Sequence, residues 1–157
     1  MMMYNRSVNT IRFTKNGLSN LQKEHAELLA QRPAAVDDLK KARELGDLSE
    51  NGYYRAARSK LSTLDGRLRR LSYYLKLAVI IDNTDKNTTD IGSSVVLSDG
   101  KKEMRFQIVG DLEAAPEQSK ISLLSPIGRA IAGKKVGEST TVLTPSGSIT
   151  YKIISIS

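Results

Sequence analysis

The chain has 157 residues, 39% of them hydrophobic and 26% charged, which suits one globular domain or two small ones and argues against wholesale disorder. Lys and Arg number 24 against 17 Asp and Glu, a net charge of +7 that points to an anionic partner. With no cysteine and a single histidine, His25, the chain has no disulfide framework and no thiolate metal site, and a multi-histidine centre or Ser-His-Asp triad is improbable.

Residues 1–13 contain Arg6 and Arg12 but no apolar core of a signal peptide. The longest apolar runs, such as 77–81, fall far short of the roughly 20 residues that cross a bilayer. A cytoplasmic protein with no membrane partner is the expectation.

From Thr14 the apolar residues take helical spacing, with Leu18, Leu21, Leu28, Ala35, Leu39 and Ala42 on one heptad seam that His25 and Arg32 interrupt. Thr14 suits an N-cap, and Pro33 should bend this helix rather than end it, because the period resumes beyond it. A second seam is cleaner: Tyr54, Ala57, Leu61, Leu64, Leu68, Leu71, Leu75 and Ala78 alternate spacings of three and four. The polar stretch Gly46-Asp47-Leu48-Ser49-Glu50-Asn51-Gly52 between the seams is short enough to join only antiparallel neighbours. Residues 1–82 therefore read as an antiparallel coiled-coil hairpin whose arms are about 40 Å long.

Residues 83–90 are polar, aperiodic and rich in turn formers, as a linker is. In 91–157 short β-branched runs at 94–97, 104–109, 121–124, 139–143 and 149–156 read as strands, with Asp99-Gly100 and Ser146-Gly147 as hairpin turns. Residues 126–133 suit a short helix, with Pro126 near its start and Gly133 at its end. The fold class is α+β. Charge divides unevenly between the halves: 1–82 hold 15 Lys and Arg against 9 Asp and Glu, whereas 83–157 hold 9 against 8.

Chemistry concentrates at the hairpin tip, where Asp47 and Glu50 stand three residues apart. One reading is structural: Gly46 closes the first helix in a left-handed conformation, and Asp47 with Glu50 forms a capping box on the second. The other is that two hard oxygen donors help to hold a divalent cation, since Mg²⁺ is commonly bound by one or two carboxylates plus waters and phosphates. Two carboxylates alone make a weak site, so this reading requires delivery into another protein's active site. Arg43, Arg55, Arg58 and Lys60 surround the tip, with Arg67, Arg69 and Arg70 further along. They read either as a solvated helix face or as phosphate contacts. No glycine-rich phosphate loop joins a strand to a helix in either half.

The tip motif Gly46-Asp47-Leu48-Ser49-Glu50-Asn51, followed by Tyr54 and Ala56-Ala57-Arg58, resembles that of the bacterial GreA/GreB transcript cleavage factors. Ile108-Val109-Gly110-Asp111, Ser125-Pro126-Ile127-Gly128-Arg129-Ala130-Ile131-Ala132-Gly133-Lys134 and Thr144-Pro145-Ser146-Gly147 resemble that family's C-terminal motifs in the same order. The resemblance implies an FKBP-like C-terminal domain, for which no prolyl isomerase activity is expected. It further implies a hairpin that enters the secondary channel of RNA polymerase and a C-terminal domain that docks at the channel rim, here through Ser125, Pro126 and Ile127. Asp47 and Glu50 would act on the polymerase's second Mg²⁺ in cleavage of backtracked RNA, with no tightly bound cofactor and no enzymatic activity of the factor alone. Arg43, Asn51, Arg55 and Arg58 would contact the polymerase or the nascent RNA 3′ end, and DNA contact would be weak. Ser49, Gly52-Tyr53 and Arg55 depart from the residues usual in the family, and the A-type or B-type assignment stays open.

Two other readings compete. A relative that occupies the same channel could inhibit polymerase without cleavage, against which the intact Asp47 and Glu50 argue. A basic module that binds nucleic acid directly would explain the charge, but the arginines do not form the uninterrupted basic region of a groove-reading helix.

Overall fold

The computed structural model describes residues 9–47, 51–82 and 85–157. These form two compact units: Ser19–Leu77, and residues 9–18 together with Ala78–Ser157.

The first unit is a pair of helices, α1 (Lys15–Glu44) and α2 (Gly52–Leu77), the first turn of α1 belonging to the other unit. Cross-helix bonds fix the direction of the pair. His25 meets Ser72, Arg32 meets Asp65 and Asp38 meets Lys60, so partners on α2 fall back as positions on α1 advance, and Glu24 reaches Arg67 on the same stretch of α2. The helices are antiparallel, as the short connection demands. Ala35, Ala42, Ala57, Leu64, Leu68 and Leu71 are buried along the seam, with Leu28 and Leu61 packed beside it. α1 runs through Pro33 without ending. His25 and Arg32, which interrupt the apolar register, bond across to α2: His25 Nε2 lies 2.9 Å from Ser72 Oγ, and Arg32 grips Asp65 at 2.7 and 3.1 Å.

These paired charges give the hairpin an acid sensitivity. The hydrogen bond from Arg67 holds the Glu24 carboxyl below its ordinary value, and that from Arg32 does the same for Asp65. A depressed folded-state value contributes stability that is complete above the unfolded carboxylate range and disappears as pH falls through the folded value. Helical melting followed by circular dichroism should therefore move little between neutral pH and about pH 5, then fall below about pH 4. A melting curve unchanged at about pH 3 would contradict these pairings.

In the second unit, β1 (Ile11–Phe13) pairs in parallel with β2 (Ala78–Ile80), Arg12 opposite Val79. The sequence gives no period for so short a pair, and the reading that carried the α2 seam to Ala78 is corrected: α2 ends at Leu77. Val79, Ile80 and Ile81 are stiff at χ1 and suit an extended chain, and β1 supplies the partner. The ladder extends one bond further, Ile81 N donating to Phe13 O at 2.9 Å, with Phe13 buried beneath it.

The main sheet comprises β3 (Ser94–Ser98), β4 (Glu103–Val109), β5 (Lys120–Ser122), β6 (Ser139–Thr144) and β7 (Gly147–Ile156), in the order β5-β4-β3-β7-β6. All neighbours are antiparallel except β4 and β5, which a connection carrying two 3₁₀ turns, Asp111–Glu113 and Pro116–Gln118, joins in parallel. Side chains alternate in β3, so Val95 and Leu97 point into a core with Ile108, Ile121, Val142, Tyr151 and Ile153. Helix α3 (Pro126–Ile131) closes the core with Ile131. Its Gly128 lies so close to β5 that a Cβ there would stand 2.0 Å from Ser122 O, so no larger residue fits without shifting backbone. Residues 88–90 are bound into this unit: Thr89 N donates to Lys134 O and accepts, through its carbonyl, the N–H of Gly133.

Candidate functional site

The tip is built by three small residues and one asparagine. Ala42 on α1 and Ala57 on α2 are buried, and their small side chains let the helices close just below the connection. Gly46, at φ +108°, takes the chain out of α1 in a conformation that a residue with a Cβ rarely adopts. The cap of α2 is Asn51: its Oδ1 accepts from Tyr54 N at 3.0 Å, and its carbonyl accepts from Arg55 N at 3.1 Å. Its Nδ2 donates to Ala42 O at 3.0 Å, satisfying a carbonyl at the end of α1. One side chain thus serves both helix ends.

This moves the cap of α2 from Asp47 to Asn51. Because α2 begins at Gly52, its N-cap is Asn51, and Asp47 sits four residues too early for that role. Asp47 is exposed. Glu50 lies outside the described residues. Asn51→Ala should cost about 1–2 kcal/mol of hairpin stability, the upper part of the usual range for a lost cap, because the Ala42 carbonyl also loses the shorter of its two bonds and keeps only Leu45 N at 3.4 Å. Thermal unfolding by circular dichroism checks this; an unchanged midpoint would contradict the double role.

Arg32, Arg67, Lys60 and Lys41 are engaged by Asp65, Glu24, Asp38 and Asp37, the Lys41 contact being 2.7 Å. Hydrogen bonding to Asp37 also raises the Lys41 ammonium above its ordinary value. Among the described residues, Arg43, Arg55 and Arg58 have no such partner and are exposed. Arg69 and Arg70, further along α2, are likewise exposed and make no salt bridge among the described residues, so cations available to an external anion lie both near Asp47 and further from it. Tyr54 is half-buried, in keeping with a packing role. Leu45 at 70% and Tyr53 at 47% exposure flank the tip. The sequence reading did not select Leu45 as a surface group, although its place beyond the last seam residue, Ala42, was the available signal.

The chain matches the family model described as "Transcription elongation factor, N-terminal" over residues 11–80, and "Transcription elongation factor, GreA/GreB, C-term" over 84–157. The chain belongs to the GreA/GreB family of transcription elongation factors. The transcription elongation factor GreA of Paracoccus denitrificans is 43% identical over 150 residues, which cover 93% of this chain and 96% of that protein. That of Thermodesulfovibrio yellowstonii is 40% identical over 152 residues, covering 94% and 96%. The crystal structure of GreA factor homolog 1 from Thermus thermophilus aligns over 95% of this chain and 99% of that one, with 25% identity and a TM-score of 0.46.

Of the GreA/GreB motif residues in the C-terminal unit, Ser125 is occupied locally. Its Oγ accepts from Gly128 N at 3.0 Å, capping α3, and donates to Ser122 O at 2.8 Å. Ile127 packs against the core, and Pro126 is exposed. The apolar surface beside them belongs to Leu124, 54% exposed, which the sequence reading passed over as the end of a strand. β5 stops at Ser122, whose Oγ accepts from Leu124 N at 2.9 Å and turns the chain outward. Among the described residues no helix is long and apolar enough to cross a membrane.

Proposed function

We propose that this elongation factor binds RNA polymerase by inserting its hairpin into the secondary channel and stimulates the polymerase's own Mg²⁺-dependent cleavage of backtracked RNA. The observation that carries the reading is the handover of the helix-capping role to Asn51. With α2 starting at Gly52 behind that cap, the exposed Asp47 lies ahead of the helix, and Glu50 follows it three residues on in the sequence.

Carboxylate oxygens are the hard donors that Mg²⁺ takes, and a cation held this way supplies charge neutralisation and water activation at the scissile phosphate. The chain's own part is to deliver and orient. Asn51 fixes both helix ends, so the intervening loop is anchored on either side. Arg43, Arg55 and Arg58 offer forked donors to the phosphates of the RNA 3′ end or to acidic groups of the channel wall. The face around Pro126 and Leu124 is the docking surface for the channel rim. The factor is accessory rather than enzymatic, acts in the cytoplasm, needs no tightly bound cofactor, and touches DNA weakly.

Stalled, backtracked polymerase carrying labelled RNA tests the reading. Addition of the chain should release short 3′ RNA fragments and restore elongation. Slowed elongation with no fragment would overturn it in favour of a channel-blocking inhibitor, and tight salt-sensitive DNA binding without polymerase would favour a nucleic-acid module.

A further inference from the structure

Within the unit formed by residues 9–18 and Ala78–Ser157, one carboxylate holds the first turn of α1. Thr14 N donates to Glu113 Oε1 at 2.7 Å, and Thr14 Oγ1 donates to Glu113 Oε2 at 2.5 Å. The same hydroxyl accepts from Gly17 N at 3.0 Å, making Thr14 the N-cap of α1 and passing the grip of Glu113 into its first turn. Glu113 is itself fixed by the 3₁₀ turn Asp111–Glu113, where its N–H donates to Gly110 O at 2.9 Å.

Two glycines shape the slot. A Cβ on Gly17 would lie 2.0 Å from Glu113 Cδ, and one on Gly110 would lie 2.1 Å from Arg12 O and 2.9 Å from Glu113 Oε1. Gly17 stands in the first turn of a helix, where glycine is a poorer helix former than alanine, so its absent side chain serves the carboxylate rather than the helix. The first turn of α1 has no acidic residue of its own, and Glu113 supplies the negative charge that a helix N-terminus favours.

We propose that Glu113 is a positioning residue for RNA cleavage, acting through Thr14 on the first turn of α1 and touching neither metal nor RNA. The inference rests on the proposed function above. α1 continues for 30 residues from this root. Over its length of about 45 Å, a swing of about 10° at the root displaces the far end by about 8 Å. Reacting groups lose about a hundredfold in rate from a misplacement of about 1 Å. Slack at Glu113 is therefore amplified at the tip.

The test uses the full chain with Glu113→Ala, Gly17→Ala, both together, and Thr14→Ser, reading amide hydrogen exchange at Gly17 in the free protein and cleavage in stalled complexes over a range of factor concentrations. Glu113→Ala and Gly17→Ala should each speed exchange and lower the cleavage rate at saturation about tenfold or more, with the half-saturating concentration held. Thr14→Ser, which keeps the hydroxyl, should retain both properties. Adding Gly17→Ala to Glu113→Ala should cause no further loss and should slow exchange again, because the clash has gone and only helix propensity remains. Unchanged saturated cleavage in Glu113→Ala, with an active wild type, would overturn the positioning role alone. A wild type that releases no RNA would overturn the functional reading and this inference with it.

Discussion

On the proposed function, joint replacement of Asp47 and Glu50 by alanine should lower RNA cleavage by stalled polymerase about a hundredfold or more, because the carboxylates proposed as Mg²⁺ donors disappear and each factor of ten corresponds to about 1.4 kcal/mol of barrier. The cap of α2 rests on Asn51 rather than Asp47, so hairpin stability should fall by less than in Asn51→Ala. The two readouts separate the competing accounts of these residues. Had Asp47 and Glu50 been a capping box, their removal would cost about 1 kcal/mol or more of helix stability. In this fold that loss belongs to Asn51, whose side chain bonds to both helices. Cleavage and melting measured on the same variants give opposite patterns: Asp47→Ala with Glu50→Ala should silence chemistry in a stable protein, and Asn51→Ala should weaken the scaffold.

Leu71→Ala should be the most damaging single truncation in the hairpin, at about 2–5 kcal/mol. Leu71 has no exposed surface, and it sits on the α2 seam one helical turn from Leu68. Removing its terminal carbons loses burial and leaves a void that two helices joined by a short connection close only in part. Tyr73, two positions on and 58% exposed, is the matched control, and Tyr73→Ala should stay close to wild type. Because the chain has two compact units, the helical signal at 222 nm should be followed rather than a single global midpoint. Equal melting of the Leu71 and Tyr73 variants would contradict the seam.

What the sequence reveals and what it hides divides along physical lines. Leu64, Leu68 and Leu71 declare themselves because a period of three and four repeats over seven turns, and burial follows periodicity directly. The five strands of the main sheet and α3 are legible for the same reason, each being a local run bounded by turn formers. β1 is not, since three residues carry no period and their partner, β2, is 67 positions away. The grip of Glu113 on Thr14 spans 99 positions and leaves no local trace beyond a glycine inside a helix. Among the cations, residue type does not separate Arg67 from Arg58. The register of one helix on the other does, by bringing Glu24 to the first and no described carboxylate to the second. At the tip, Asp47 and Asn51 are equally good capping types, and only the point where α2 begins decides between them.

The rate of RNA cleavage as a function of Mg²⁺ concentration, measured on stalled polymerase with no factor, with the wild-type chain and with the Asp47→Ala, Glu50→Ala variant, tests the central claim most directly. If the tip carboxylates help to hold the metal, the wild-type chain shifts half-maximal cleavage to lower Mg²⁺, and the variant returns it to the value for polymerase alone. Identical Mg²⁺ dependence and identical rates with wild type and variant would contradict the account.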